Sequence, residues 1–352
     1  MKQEIDLDSV RKRVGAALKY FGVDDQLSVE MIESWFKTTK NPIECFRNIM
    51  EKLKPSTMKE ASSALILLQQ LWNLTPLPEL RNRSPKEIYM LGKEFGVPVN
   101  DFGLRDIDVL DVNLVKDFNI FIDYVEKYDV KLTEIGNICL RDLKNINSML
   151  SVKVEWERFL GNRVYRVRSE NELPYILTLD TIARSINLVK EQKRRLIPTL
   201  TMKKFNELSF VEKYGVLLEA YVNSVNWEFL HPTYGSNETS VAEIMQDNFD
   251  AVALLLLRMH KKVARGWLKV DAIVAQVADF LGLGTTDKAD VVSGVLGWEV
   301  KKLIMDLFTL FDLVEIEQHK DEWGLEQPIA IRLNRKGARV LTVFARRAVN
   351  SI

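Results

Sequence analysis

Basic residues are concentrated in one stretch of this chain, where their number could serve to bind a polyanion. Residues 131–204 hold 15 Lys and Arg against 8 Asp and Glu, whereas the whole chain of 352 residues has 49 of each sign. Such a cluster can neutralise phosphates, which gives salt-dependent affinity without base specificity. The candidate nucleic-acid contacts are Arg163, Arg166, Arg168, Arg184, Lys190, Lys193, Arg194 and Arg195.

The helix expected to face a nucleic-acid groove lacks the residues that read bases. It covers about 173–186 and contains one cation, Arg184. Base edges are read by Arg, Lys, Asn or Gln, so the sequence favours contact with the DNA or RNA backbone. The other interpretation of the same residues is a solvated basic surface, or one that pairs with acidic faces of other domains.

Residues that could support catalysis or hold a metal do not form a recognised pattern. The three histidines, His231, His260 and His319, are far apart and lack metal-ligand spacing. The acidic groups at 106–111 and 287–290 are typical of loops and helix N-termini. The sequence therefore predicts no catalytic residue, no metal and no cofactor, and an enzyme of unrecognised type is the third choice of function.

Composition predicts a folded protein in a reducing compartment. Hydrophobic residues make up 47% of the chain and charged residues 28%, which is typical of globular proteins. The two cysteines, Cys45 and Cys139, cannot form a disulfide framework. No signal peptide is visible, and the most apolar run, Ala251–Leu257, is too short to span a membrane. A cytoplasmic location without membrane contact is the expectation.

Helix start signals are frequent in the first hundred residues. Asn41-Pro42-Ile43-Glu44 places an N-cap before a proline, and Thr57-Met58-Lys59-Glu60 is a capping box. Apolar residues then recur at spacings of three and four. These patterns predict a bundle of helices at 8–21, 29–38, 42–53, 57–73 and 85–95, and a further helix is expected at 112–128.

The second half of the chain repeats a different pattern, in which a short strand leads directly into a helix. It occurs at 130–133, 198–201 and 331–334, and each copy contains Leu followed by Thr or Asn. The polar residue is expected to cap the new helix. At two copies a glycine, Gly136 or Gly337, is expected early in that helix.

The segments around two of these copies have the order of a winged helix. A helix at 298–311 precedes a strand at 312–317, a loop at 318–327 and a strand at 329–333. The earlier region repeats this order with a helix at 173–186, the residues Leu188-Val189, a basic loop at 190–195 and a strand at 196–200. Helices at 210–226 and 241–263 are expected to join the two units.

The predicted fold class is therefore mainly α, with a helical N-terminal bundle followed by two winged-helix-like units with small β-wings. The expected domains are 1–110 for the bundle, 111–205 for the first unit, 206–266 for bridging helices and 267–352 for the second unit.

Several passages resemble a family of uncharacterised bacterial and archaeal proteins with winged-helix-like C-terminal units. The resemblance rests on Leu71-Trp72-Asn73-Leu74-Thr75-Pro76, on Leu132-Thr133 with Gly136-Asn137, and on Leu217-Leu218-Glu219-Ala220-Tyr221. It spans roughly residues 60–235 and implies a prokaryotic protein, but it brings no known activity and no functional residues.

Two functions remain open at this point. The leading prediction is a non-catalytic nucleic-acid-binding protein, regulatory or accessory in kind, that uses the basic face of 131–204. The alternative is a protein–protein interaction scaffold, in which the winged helices act as dimerisation modules or bind another protein.

Overall fold

The computed structural model describes residues 6–39, 41–99, 102–160, 163–232, 240–263, 266–283, 294–321 and 326–350. The side chains of residues 158–160 and 163 lie outside that description, as do Asp287 and Asp290. Two compact units divide the chain, Met1–Glu94 and Phe95–Ile352. The expected domain boundaries at 110, 205 and 266 stay predictions.

The first unit consists of helices whose bounds lie within one residue of the prediction. They are α1 (Leu7–Tyr20), α2 (Val29–Thr38), α3 (Pro42–Leu53), α4 (Met58–Leu74) and α5 (Pro85–Phe95), of which the last residue belongs to the second unit. The predicted caps form, since the side chain of Asn41 accepts from the backbone N–H of Ile43 and Thr57 pairs reciprocally with Glu60.

Three aromatic rings pack against one another in the core of this unit. The rings of Phe36, Phe46 and Trp72 meet edge to face, with centroids 5.1 to 6.2 Å apart. Around them the buried faces of α1 to α4 contribute aliphatic residues such as Val10 and Leu68. The amphipathic spacing read from the sequence therefore corresponds to the buried faces of these helices.

The second unit is also mainly helical and contains all the described strands. Its helices after α5 are α6 (Asp106–Val109), α7 (Asn113–Lys127), α8 (Leu140–Met149), α9 (Pro174–Ser185), α10 (Leu200–Asn206), α11 (Phe210–Asn223), α12 (Trp227–Leu230), α13 (Val241–Asp247), α14 (Phe249–Lys262), α15 (Val270–Phe280), α16 (Val295–Leu310) and α17 (Arg335–Asn350). Its strands are β1 (Val130–Lys131), β2 (Glu157–Leu160), β3 (Arg163–Arg166), β4 (Val189–Gln192), β5 (Arg195–Pro198), β6 (Trp267–Lys269), β7 (Val314–Lys320) and β8 (Glu326–Leu333).

Two antiparallel three-stranded sheets share one strand order. The first has the order β1-β5-β4 and the second β6-β8-β7, so that in each the last strand along the chain lies in the middle. Each sheet is reached by the same succession of described elements, namely helix, strand, two helices and a hairpin. In the first sheet an additional hairpin, β2–β3, is inserted between the two helices.

One of the three strand-to-helix junctions follows the prediction in full. The Asn334 side chain accepts from the backbone N–H of Gly337 at 2.8 Å, and α17 begins beside it. At the second junction a helix follows the strand as expected, but its cap is Thr199 instead of Thr201: Thr199 accepts from the backbone N–H of Thr201 at 3.2 Å, and Thr201 lies inside α10. Gly337 is required by packing, because a Cβ at this position would overlap the carbonyl oxygen of Leu313.

The third junction was predicted wrongly. No helix starts after Thr133; the backbone makes a turn, Leu132 bridges Ile138, and α8 begins only at Leu140. Gly136 lies in that turn with φ +85°, so it serves the turn instead of a helix. The backbone amide of Asn137 donates to the hydroxyl of Thr133, which closes the turn locally and removes the cap from use by a helix.

Three further details also differ from the sequence-based expectation. The basic segment 190–195 is not an open loop, because β4 extends to Gln192 and β5 starts at Arg195. The helix expected at 241–263 is divided into α13 and α14 at Asn248. The β2–β3 hairpin was not predicted at all.

Among the described residues, no helix is long and apolar enough to cross a membrane.

Candidate nucleic-acid interface

The β4–β5 hairpin closes with a two-residue turn made of cations. Lys193 and Arg194 have φ values of 51° and 57°, so both adopt the left-handed conformation. Two such residues match the twist of the flanking strands, which is why Asn and Gly usually occupy these turns. Side chains with a Cβ cost about 1–2 kcal/mol per residue there. The hairpin thus carries local strain at the point where it presents two charged side chains.

Strand register places further cations on one face of the same sheet. Lys131 lies opposite Arg195, and Lys190 lies opposite Ile197. The other face holds Val130, Val189 and Leu196, which are all buried. Because side chains alternate between the two faces of a strand, the cations lie on the face turned away from the core, and they are exposed. The basic hairpin surface consists of Lys131, Lys190, Lys193, Arg194 and Arg195.

Ion pairs on this surface are few and exposed. Arg194 pairs with Glu134 at 3.2 Å and Arg195 with Asp129 at 3.1 Å. More than half of each arginine side chain remains accessible, and such pairs contribute only about 0–1 kcal/mol. Lys190 and Lys193 make no ion pair with any described residue. A phosphate could therefore approach without breaking a strong internal contact.

Three of the predicted contacts lie on or next to the β2–β3 hairpin, which is a separate two-stranded sheet. Arg166 lies on β3 and pairs across the hairpin with Glu157 at 2.8 Å, although its side chain is 72% exposed. The backbone N–H of Arg168 donates to Glu172, and the residue is exposed. Arg163 belongs to β3, but its side chain lies outside the described part.

Arg184 occupies a structural position in α9. Its guanidinium donates to Asp180 at 2.8 Å and to the carbonyl oxygen of Gly136 at 3.2 Å, and the side chain is 30% exposed. This side chain thus fixes the 133–138 turn to α9. A phosphate contact by Arg184 stays a prediction, and its donors already have two partners.

A buried carboxyl group lies beside this ion pair. Glu170 accepts from the backbone N–H of Ile138 at 2.7 Å. Burial, together with the neighbouring charge of Asp180, raises the pKa of Glu170 to about 8. Burial also raises the pKa of Asp180, against the influence of Arg184. One oxygen of each carboxyl has no hydrogen-bond partner in the described structure, and protonation of Glu170 removes the repulsion between the two buried charges.

Helix α9 offers little exposed surface to a groove. Six of its twelve residues are buried and five are half-buried, which leaves Pro174 as its one exposed position. Its hydroxyl groups donate to carbonyls of the same helix, as Thr178 does to Pro174, Thr181 to Leu177 and Ser185 to Ile182. The observed burial agrees with the lack of base-reading residues in this segment.

The histidines are held by local structural contacts. Nε2 of His231 lies 3.2 Å from the Tyr221 hydroxyl, and Nδ1 lies 3.5 Å from Asp306. Burial, assisted by the charge of Lys302, lowers the pKa of His231 to about 4, so this imidazole is neutral at pH 7. Nδ1 of His260 lies 3.2 Å from the carbonyl oxygen of Gly266. The described residues contain no group of three potential metal ligands.

A polar cavity of about 500 Å³ lies elsewhere in the second unit, at the end of α11. Its lining is acidic or amidic and includes Asn226, Glu228, Glu243 and Asp247. The side-chain amide of Gln246 already has partners for both of its ends. Its nitrogen donates to the carbonyls of Val222 and Val225, and its oxygen accepts from the backbone N–H of Trp227. This cavity has the wrong charge for a polyanion.

Lys131 belongs to the basic hairpin surface, but no feature of the sequence placed it among the candidate contacts. In the sequence it follows Val130, which is buried, and nothing distinguishes it from the other basic residues of 131–204. The signal that reveals it is its pairing with Arg195, which lies 64 positions later in the chain.

Comparison of the chain with protein-family models, curated proteins and solved structures gave no match.

Proposed function

We propose that this chain binds the phosphate backbone of nucleic acid through the basic hairpin surface, as a non-catalytic regulatory or accessory protein. The observation that carries the proposal is the joint placement of Lys131, Lys190 and Arg195 on the outward face of one sheet, with Lys193 and Arg194 at its tip. Cations on such a face supply affinity without reading bases.

We also propose that the two sheets with their helices are winged-helix units. The strand order β1-β5-β4 is repeated as β6-β8-β7, and each hairpin occupies the place of a wing. In the β1-β5-β4 sheet the wing is basic, while the helix before it, α9, has Pro174 as its one exposed position. A wing that contacts phosphates is therefore the mode of binding that this surface supports, in place of a helix that enters the major groove.

Salt dependence provides the first test. Fluorescence anisotropy with labelled 20-mers, single-stranded and duplex, should show affinity that falls as salt is added. If four phosphates are neutralised, the loss for a duplex is on the order of a hundredfold between about 50 and about 200 mM salt. Absence of binding to either probe at the lower salt concentration would refute the proposal.

A matched pair of variants locates the surface. Lys190→Glu with Lys193→Glu changes the first sheet, and Lys269→Glu with Lys320→Glu makes the same change of charge on the second sheet, where both lysines are also exposed. We expect affinity to fall by at least about tenfold in the first variant, because it loses two phosphate contacts. The second variant should bind as the wild type does.

A more conservative double substitution distinguishes the effect of losing charge from the effect of disturbing the turn. Lys190→Gln with Lys193→Asn removes two cations, and asparagine tolerates the left-handed conformation of residue 193. Circular dichroism should show an unchanged melting temperature, with affinity still reduced. Equal affinities of this variant and the wild type would contradict the assignment of the surface.

Self-association through the second unit is the other candidate function. It is favoured by apolar side chains left exposed on α16, where Val295 is 66% and Trp298 is 54% exposed. A second copy of this chain would cover them, since contiguous apolar surface is unusual on a monomer. Light scattering of the wild type and of Trp298→Glu tests this function: a dimer that the substitution dissociates supports it, and a monomeric wild type excludes it.

A further inference from the structure

The β2–β3 hairpin presents two aromatic residues on one of its faces. The backbone N–H of Val167 donates to the carbonyl of Trp156 at 3.1 Å, so the ladder of the hairpin continues one pair beyond β2. Trp156 is thus opposite Val167, and Tyr165 lies two residues before Val167 on the same face. Diagonal neighbours of this kind are about 7–8 Å apart.

Both rings remain accessible. Tyr165 is 49% exposed, and its ring contacts no other aromatic ring of the described residues. Trp156 is half-buried. An exposed tyrosine alone is ordinary, but here a second aromatic residue shares the face, and the hairpin is not needed to close the first sheet. The core therefore does not explain why these rings are here.

A cation lies beside one of the two rings. Nζ of Lys144 lies 5.3 Å from the centre of the Trp156 ring, so a positive charge is held beside the aromatic face. Arg166 and Arg168 are exposed, but they precede and follow Val167 and therefore lie on the opposite face of the hairpin from Tyr165. Proteins hold single strands with aromatic rings and nearby cations, since bases stack on the rings while phosphates meet the charges.

We propose that the bound nucleic acid is single-stranded and that its bases stack on Tyr165, with Trp156 beside it. This inference rests on the proposed function. It also agrees with the small exposed surface of α9, because a protein that binds unpaired bases does not need a helix in the groove of a duplex. Duplex bases are already stacked on one another and cannot reach the ring.

The test compares Tyr165→Ala with Tyr89→Ala, which removes a tyrosine of α5 that is 70% exposed. Anisotropy is measured with an oligothymidylate 20-mer and with a mixed-sequence duplex. We expect wild type to prefer the single strand, and Tyr165→Ala to lose about fivefold to a hundredfold of that affinity, the effect of one stacked base. Tyr165→Phe keeps the ring and should retain it, and Tyr89→Ala should bind as wild type.

A spectroscopic signal distinguishes stacking from a general loss of binding. In an oligonucleotide that carries 2-aminopurine, stacking on an aromatic ring changes the fluorescence of the probe. Saturating wild type and Tyr165→Phe should both produce this change, and Tyr165→Ala should not, even at concentrations where anisotropy shows it to be bound. The same signal from all three proteins would overturn the inference.

Failure of this inference and failure of the proposed function have different outcomes. If Lys190→Glu with Lys193→Glu abolishes binding while Tyr165→Ala changes nothing, the basic hairpin surface stands and single-strand stacking is wrong. A wild type that prefers the duplex leads to the same conclusion. If wild type binds neither probe, both proposals are refuted.

Discussion

The two three-stranded sheets of the second unit have the same topology and present different surfaces. In the first sheet a hairpin of four-residue strands ends in Lys193 and Arg194. The second hairpin has strands of seven and eight residues. Its cation Arg332 stacks on Trp267 at 5.0 Å and pairs with Glu315. The same strand order thus occurs with different surface charge, because strands pair through backbone hydrogen bonds and the sheet packs through its buried face, while the outward face is free to vary.

Buried charge also separates the two regions, with opposite signs. Near the first sheet two carboxyl groups, Glu170 and Asp180, are buried beside Arg184. Near the second, Lys336 is buried and its ammonium group lies 2.7 Å from Asp312. A buried acid with a raised pKa makes stability sensitive to rising pH. Burial also raises the pKa of Asp306 on α16, so what distinguishes the first region is the pair of carboxyl groups that lie together.

The largest expected effect concerns the glycines at corresponding junctions. Gly337→Ala should destabilise the fold by about 3 kcal/mol or more, because the new Cβ overlaps the backbone of Leu313. Gly136→Ala should cost about 1–2 kcal/mol, since its φ is +85° but its surroundings leave room. Urea unfolding measures both free energies, and equal losses would contradict the packing difference between the junctions.

The second prediction concerns pH. The pKa of Glu170 is raised to about 8, from the ordinary value of 4.5 that it regains on unfolding. Between these values the unfolded state loses the proton and the folded state keeps it. The free energy of unfolding therefore falls as pH rises from about 4.5 to about 8. Above that range Glu170 causes no further change.

Glu170→Gln tests this linkage. It removes the titrating group while its amide oxygen can still accept from Ile138, so the decline of stability with pH should become smaller. Thermal unfolding at intervals from pH 5 to pH 9 provides the measurement. Glu155→Gln is the matched control at an exposed site and should retain the wild-type decline. An unchanged decline in Glu170→Gln would show that other groups cause it.

The third prediction compares two arginines. Arg184→Ala leaves Asp180 buried without its cation and should cost about 2 kcal/mol. Arg332→Ala breaks a more exposed pair and should cost about 1 kcal/mol or less. Urea unfolding measures both. We also expect Arg184→Ala to leave the affinity for nucleic acid unchanged; a large loss would place Arg184 in the interface, as the sequence alone suggested.

The smallest effect is expected at the tip of the first hairpin. Glu134→Gln removes the exposed carboxylate that pairs with Arg194. Its removal should raise the affinity for nucleic acid by about twofold, the scale of an exposed ion pair, without changing the melting temperature. Anisotropy at low salt measures this, and a reduced affinity would mean that Glu134 orients Arg194 for binding.

Local signals predicted the helices of the first unit within one residue. Capping residues such as Asn41 and Thr57 act on backbone groups three positions away, so the information lies in neighbouring residues. The turn at Gly136 was missed for a related reason. The same Thr that suggests a helix cap can close a turn, and only the bridge between Leu132 and Ile138 decides between them.

The basic hairpin surface was only partly predictable. The cations of 190–195 were visible as a run, but the run gave no indication of a two-residue turn, because neither residue is Asn or Gly. Arg184 looked like its neighbours in sequence, and its partners Asp180 and Gly136 are brought to it by the fold. The β2–β3 hairpin was missed because its strands are short and lack a clear apolar alternation.

By itself, the sequence determined that this is a mainly helical protein, where its helices of the first unit begin and end, and which stretch holds its excess positive charge. The tertiary structure alone decided that Lys131 lies beside Arg195, that Pro174 is the one exposed position of α9 and that Tyr165 is exposed. The physical reason is the range of the interactions. Caps and helical periodicity act within a few residues, whereas strand pairing and burial depend on partners far away in the chain.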